Sequence, residues 1–361
     1  YLLPVGISFY TFQTLSYTID IYRRKREPEH HFGKFALFVS FFPQLVAGPI
    51  ERSVNLLPQF HQKFKFEYER VKNGILLMSW GFFKKVVIAD RLAEYVNLVY
   101  NNAADYSGIQ HALATLFFSF QIYCDFSGYS DIAIGSALIM GYQLMTNFKR
   151  PYLAQNIREF WRRWHISLST WFRDYVYIPL GGNRVVKWRW QTNIFITFVV
   201  SGLWHGANWT FVIWGALHGF YQLFAIWITR LTDATNRFLG LDVMPRLHKV
   251  LRIIKTFILV YFAWIFFRAN SFDDAMVILR NLFHFEPGTV INLFANKIDL
   301  TIALISIVFL GIVEILEEQI GLYARLRTLG RPVKWVMLIS LILAIVVLGK
   351  WNEVDFLYFQ F

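Results

Sequence analysis

Apolar residues run along this chain in long blocks, broken by short polar stretches where Lys and Arg gather. Residues 1–19 are long enough to enter a membrane, but Ser8, Thr11, Gln13, Thr14 and Ser16 make one face polar, so that face is expected to look into protein. Residues 35–50 are apolar but short, and Pro43, Gly48 and Pro49 interrupt them. A buried re-entrant segment is predicted there, because broken backbone at membrane depth must be covered by protein. Residues 74–100 read as a helix interrupted by Lys84-Lys85 and Asp90-Arg91, with the lysines expected to snorkel to an interface. The loop at 101–110 carries no basic residue and is placed outside. Residues 113–142 span, although Asp125, Ser127, Tyr129, Ser130 and Asp131 lie inside the block and need buried partners.

Helical periodicity over the following basic stretch, 149–189, puts Trp161, Trp164, His165, Leu168 and Phe172 on one face, with Arg162, Arg163 and Ser169 turned away. Residues 191–229 lie between Arg189 and Arg230, which predicts a segment that goes in and comes back. Its first arm, from Thr192 to His205, is about 20 Å as a helix, shorter than the roughly 30 Å of hydrocarbon, so its tip is expected inside the membrane. Further spans are predicted at 253–267, 300–316 and 335–349, with an amphipathic surface helix at 273–282 and an external loop at 286–296. The result is one all-α polytopic membrane bundle over 1–361.

Composition supports that class. The chain is 56% hydrophobic with only 17% charged residues, against about 45–50% and about 25% in ordinary soluble domains. The net charge of +12 sits in clusters between apolar blocks, such as Arg23 to Arg26 and Arg325 to Lys334. That is the pattern of cytoplasmic loops, not of a nucleic-acid-binding face. The single cysteine, Cys124, excludes an internal disulfide framework.

Two histidines carry the candidate chemistry. His205 lies in SGLWHGANW, between Trp204 and the small residues Gly206 and Ala207, which let backbone and ligand approach closely. A neutral imidazole there can accept a proton from a hydroxyl; a hydrogen-bonded structural histidine is the alternative, and the residues alone leave both open. His165 is a second catalytic group or a partner of the first. Paired intramembrane histidines also suit haem or a metal, but neither a Cys cluster nor an HxxxH spacing supports that. His218, in WGALHG, reads as structural. Asp125 and Asp131 are proton-relay candidates of a transporter, or a packed polar knot with Ser127. Arg158, Arg162, Arg163 and Arg173 would hold donor phosphates or merely set topology.

The blocks FWRRWHISLSTWFRDYVYIPLGGNR and SGLWHGANWTFVIWGALHG resemble the signature of the membrane-bound O-acyltransferase (MBOAT) family. Within it the likeness is to the branch acting in alginate O-acetylation, related to the branch that D-alanylates teichoic acids. LPVGISFYTFQTLSYTIDIYR, FFPQLVAGPIER, GFFKKVVIAD, QIYCDFSGYSDIAIG and the closing FLYFQF extend it along the chain. The resemblance implies a helical bundle around a central funnel or tunnel, with re-entrant and interfacial helices. It implies that the family's invariant histidine falls on His205, with His165 in support. Trp204, Asn208, Trp164, Asp125, Ser127, Asp131, Arg163 and Arg173 are candidates to line the passage, Asn208 also to stabilise an oxyanion. The donor would be a cytoplasmic acyl thioester, acetyl-CoA or an acyl carrier protein, with no bound cofactor and no metal. The implied partners are an exported acyltransferase of the SGNH-hydrolase type and polysaccharide machinery, and the implied location is the bacterial inner membrane. The family's usual N-terminal helices are expected ahead of Tyr1, and Cys124 stands where relatives often carry a bulkier residue. A transporter or channel using the same polar cavity is the rival reading, and a non-catalytic scaffold a further one.

Overall fold

A computed structural model describes residues 6–106, 108–284 and 297–351, so the loop at 286–296 and the closing FLYFQF lie outside the described residues. Helices account for all the regular structure described, with no strand. The first group is α1 (Ile7–Tyr22), α2 (Phe32–Ser40) and the single turns α3 (Phe42–Leu45) and α4 (Ser53–Leu56). Next come α5 (Tyr68–Phe82), α6 (Asp90–Tyr100) and the long α7 (Gly108–Met140). The middle of the chain forms α8 (Ile157–Arg163), α9 (Ile166–Phe172), α10 (Lys187–His205), α11 (Trp209–Trp227) and α12 (Thr229–Phe238). The last part forms α13 (Pro245–Arg268), α14 (Phe272–Asn281), α15 (Lys297–Ile320), α16 (Leu322–Thr328) and α17 (Arg331–Leu348).

By length and apolarity, α13, α15 and α17 are each able to cross a membrane, and α11 with α12 forms a fourth candidate bent by 62°. Between α2 and α4 the backbone is irregular, and Gln44, Ala47, Gly48, Pro49, Ile50 and Glu51 are buried, as a covered re-entrant segment requires. On α1, Gln13 and Ser16 face protein while Ser8 is exposed.

Glycines bring the central helices together. A Cβ on Gly81 would stand 2.5 Å from the carbonyl oxygen of Gly128, and one on Gly135 would stand 2.6 Å from that of Gly74. Backbone therefore meets backbone at two levels of the α5–α7 contact, the close approach that small residues permit.

Here the structure corrects the expectation for Lys84 and Lys85. They lie on a π-helical stretch, Phe83–Ala89, that joins α5 to α6. Lys84 is only 4% exposed and its Nζ is 2.7 Å from Asp131 Oδ2 and 2.9 Å from Ser127 Oγ. Lys85 Nζ sits between Asp125 Oδ1 at 2.6 Å and Asp90 Oδ1 at 2.7 Å. The lysines neutralise carboxylates inside the bundle instead of reaching an interface. A buried ion offsets its desolvation only through such pairing.

Candidate active site

His205 is the last residue of α10, and its position follows from how α10 crosses α11. The Cα atoms of Gly202 and Gly215 face each other, and a Cβ added to Gly215 would stand 3.2 Å from the Gly202 Cα. The hairpin turns at Gly206, Ala207 and Asn208. Asn208 caps α11 by accepting from Thr210 N at 3.1 Å, and its amide donates to the Asn270 carbonyl at 3.1 Å. The tip is thus tied to the chain just beyond the end of α13. α10 begins at Lys187, ahead of the Thr192 from which the arm was counted, and is about 28 Å long. His205 is 8% exposed and walled by rings: Trp204 at 4.7 Å between centroids, Trp214 at 5.0 Å and Phe267 at 5.0 Å.

His165 arises from a break that periodicity alone does not reveal. The helix predicted to run through it stops at Arg163 and restarts at Ile166, and His165 takes a left-handed conformation with φ 41°. A non-glycine residue there is strained, and such strain persists only when its surroundings impose it. Asn147 imposes it: its carbonyl accepts from Ile166 N at 2.9 Å, and its side-chain oxygen accepts from the Ser167 hydroxyl at 2.9 Å. The His165 ring, 1% exposed, meets Phe126 at 4.5 Å edge to face and Trp204 at 6.3 Å. The Trp204 indole therefore touches both imidazoles.

The other candidates separate clearly. Trp164 is buried against Trp264 at 5.0 Å and Phe148 at 5.1 Å, where it packs the core. Arg163 is not free to hold a phosphate. Its Nη2 lies 2.8 Å from Glu318 Oε1 and 2.7 Å from Glu159 Oε1, and its Nη1 lies 3.1 Å from Glu318 Oε2. Arg173 is mostly exposed and paired with its neighbour Asp174 at 2.7 Å. Asp125, Ser127 and Asp131 bond to the two lysines, so the carboxyls of the supposed relay are ion-paired. His218 is fully buried and its Nδ1 accepts from Trp161 Nε1 at 3.2 Å. Among the described residues no group of three or more His, Cys, Asp or Glu gathers as a metal site would need.

A cavity of about 500 Å³ borders the turn that follows His205, lined by Gly206, Ala207, Asn208, Phe211 and Asn270 together with Asn97, Asn101 and Arg268. The Phe211 ring is 6.3 Å from His205. Neither Gly206 nor Ala207 donates its backbone N–H to any acceptor among the described residues. Asn208, the oxyanion candidate, instead uses its side chain to cap and tether the tip. Sequence reasoning missed Arg268 and Asn147. Arg268 ends an apolar block, where a cation passes for a topological flank, and Asn147 carries no signal of its own.

The model of the MBOAT, membrane-bound O-acyltransferase family, matches residues 7–272, which include both histidines and the whole hairpin. The chain belongs to this family. It is 43% identical to a probable alginate O-acetylase, AlgI, of Azotobacter vinelandii, over 92% of this chain and 63% of that protein. A peptidoglycan O-acetyltransferase of Helicobacter pylori is 38% identical over 78% of this chain and 57% of its own length. A teichoic acid D-alanyltransferase of Bacillus subtilis is 30% identical over 56% and 53%. The chain thus spans less than two thirds of each of these three relatives. It is an all-α membrane protein of the MBOAT family, which replaces composition as the ground for the membrane assignment.

Proposed function

We propose that this chain is an O-acyltransferase of the bacterial cytoplasmic membrane, moving an acyl group, acetyl in the first instance, from a cytoplasmic thioester to a hydroxyl on the opposite face. The donor is acetyl-CoA or an acyl carrier protein. The acyl group is bound for an envelope or extracellular polysaccharide such as alginate, handed on by an exported SGNH-type acyltransferase. The observation that carries this reading is the buried His205 imidazole at the end of α10, next to a cavity bordered by the following residues Gly206 and Ala207 and by Phe211. The names of the relatives, alginate and peptidoglycan O-acetylases, support the reaction class.

In the proposed step the His205 imidazole takes the proton of the acceptor hydroxyl as its oxygen attacks the thioester carbonyl. The backbone N–H groups of Gly206 and Ala207, which have no other acceptor among the described residues, hold the oxyanion of the tetrahedral intermediate. The intermediate collapses to the ester, and the leaving thiolate takes the proton from the imidazolium. His165, across Trp204, keeps that ring and its neighbour in register.

The test is His205→Ala in membranes where the protein accumulates normally. Acyl transfer from labelled acetyl thioester falls by about 10²–10⁴-fold, the usual worth of a positioned general base. Undiminished ester formation removes the proposed base. A purified protein that conducts a substrate but neither transfers nor hydrolyses the thioester supports the transporter instead.

A further inference from the structure

α11 and α13 pack side by side in opposite directions, and their contacts fix the level of each residue. Asn208 meets Asn270, Phe211 meets Phe267 and Trp214 meets Trp264, so each step forward along α11 matches one step back along α13. Carried to the other end of α11, that register sets Trp227 level with Leu251. α11 has 19 residues and is about 28 Å long, close to the roughly 30 Å of hydrocarbon. Towards that end the exposed rings of Phe220, Phe224 and Trp227 touch one another along one face, and an exposed Trp at a helix end suits a membrane–water boundary. The chain then bends by 62° into α12.

α12 is too polar to continue through hydrocarbon, since it carries Arg230, Asp233, Asn236 and Arg237. Leu231, Ala234 and Phe238, at i, i+3 and i+7, nevertheless share one face, and all three are exposed. Leu239, Val243 and Met244 carry the exposed apolar surface through the elbow to α13. Cations gather around it: Arg230 and Arg237 on α12, and Arg246, Lys249, Arg252 and Lys255 on the first turns of α13, all exposed. Between residues 229 and 256 only Asp233 and Asp242 oppose them. The register places Lys249 and Arg252 within one turn of the level of Trp227.

We propose that α12 lies along the membrane surface and, with the first turns of α13, forms a contact site for anionic phospholipid headgroups. A helix with an apolar stripe, cations beside it and little overall hydrophobicity is the form that rests in the interface. A leaflet rich in anionic lipid attracts such cations, and guanidinium groups match phosphate oxygens in geometry. A soluble acidic protein would meet the same charge but would have to supply an apolar patch for Leu231, Phe238 and Val243. A bilayer covers that face and brings the charge together, in continuity with the exposed rings of α11. Headgroups held here steady the end of α11 remote from the hairpin that carries His205. The inference needs only the membrane placement, not the acyltransferase reading.

The experiment uses the purified protein in nanodiscs, with spin labels on cysteines introduced one at a time in a Cys124→Ala background: Leu231→Cys, Phe238→Cys and Asp233→Cys. Labels at 231 and 238 are expected to collide with oxygen dissolved in the bilayer and to escape a water-soluble nickel complex, and the label at 233 to do the reverse. Association of spin-labelled phosphatidylglycerol and phosphatidylcholine with the unlabelled protein is then compared. Phosphatidylglycerol is expected to associate about fivefold more strongly, the worth of one cation near an anionic surface, with the advantage shrinking as salt rises. Arg237→Gln/Arg246→Gln/Lys249→Gln removes most of that advantage and leaves phosphatidylcholine unchanged. Three labels that respond alike overturn the surface placement. Equal association of the two lipids, or an advantage that survives the triple variant, overturns the headgroup site. Labels at 231 and 238 that are shielded only when acyl carrier protein is added assign the surface to an acidic protein and overturn the proposal. If the triple variant does not fold, the label depths and the salt dependence on the unsubstituted protein decide.

Discussion

Gly202 is the residue whose enlargement tests how His205 is held. It lies three residues before His205 on α10, where the helix crosses α11. A Cβ built there falls inside 3.0 Å of the Phe211 carbonyl oxygen, 3.1 Å from that carbonyl's carbon and 3.3 Å from the Gly215 Cα. These are backbone atoms, so no side-chain rotation relieves the clash. Restoring carbon contacts of about 3.5–4.0 Å requires α10 and α11 to part by roughly 1 Å. Overpacking of this kind costs about 1–3 kcal/mol, which a folded membrane bundle can tolerate. Catalysis is less tolerant, since a shift of about 1 Å in a catalytic group can cost about 10²-fold. Gly202→Ala is therefore expected to yield folded, monodisperse protein with a lowered thermal midpoint and thioester consumption reduced by about 10²-fold. Gly311 supplies the control, because a Cβ there meets nothing within 4 Å. Gly311→Ala is expected to leave activity unchanged and to stabilise the helix by about 0.5–1 kcal/mol. Full activity in Gly202→Ala refutes the idea that this close crossing positions His205.

At His165 the left-handed backbone and the imidazole can be separated: both His165→Gly and His165→Ala lower acyl transfer, while the glycine variant unfolds at the higher temperature because it is relieved of about 1 kcal/mol of strain. Equal midpoints for the two contradict the strain. Lys85→Met leaves Asp90 and Asp125 buried without their shared cation, and breaking such a pair costs about 3–5 kcal/mol. Little folded protein is expected by size-exclusion chromatography, with partial recovery in Lys85→Met/Asp125→Asn. In the loop beside α2, the hydrogen bond from His61 to Glu29 holds the Glu29 carboxyl below its ordinary 4.5. A depressed carboxyl stabilises the fold above its unfolded pKa, and that contribution fades as pH falls through the folded value. Thermal midpoints of the wild type and Glu29→Gln should differ at neutral pH and converge on acidification; a constant gap argues against this link.

How much of the fold could be read from the chain depended on the range of the interaction involved. Blocks of apolar residues report the local need to avoid water, and α13, α15 and α17 appeared where the blocks lie. The polar knot was visible only as separate halves. Lys84 and Lys85 looked like interfacial cations, while Asp125 and Asp131, some forty positions later, looked like carboxyls in need of partners. Nothing in either stretch says that the two meet, because the meeting is made by glycine contacts between α5 and α7. The break at His165 was invisible for a related reason. Its local pattern is helical on both sides, and the residue that stops the helix, Asn147, acts from another part of the chain.

The site shows the same limit from another direction. His165 and His205 stood out because an ionisable group inside apolar sequence needs a reason, whereas Arg268 follows its apolar block, where the topology rule already accounts for a cation. Only its surroundings show that asparagines, and no carboxylate among the described residues, face it. The helices beyond the matched family region bear on the site too. Glu318, on α15, binds Arg163 two residues before His165 and holds Arg150 at 2.7 Å, and Asp299 at the start of α15 pairs with the buried Arg91. Without α15, Arg91 and Arg150 would lose their carboxylate partners and Arg163 would keep Glu159 alone, and the chain around the strained His165 would lose part of the clamp on its N-terminal side. The family match ends at residue 272, but the electrostatics that hold its second histidine in place extend to Glu318.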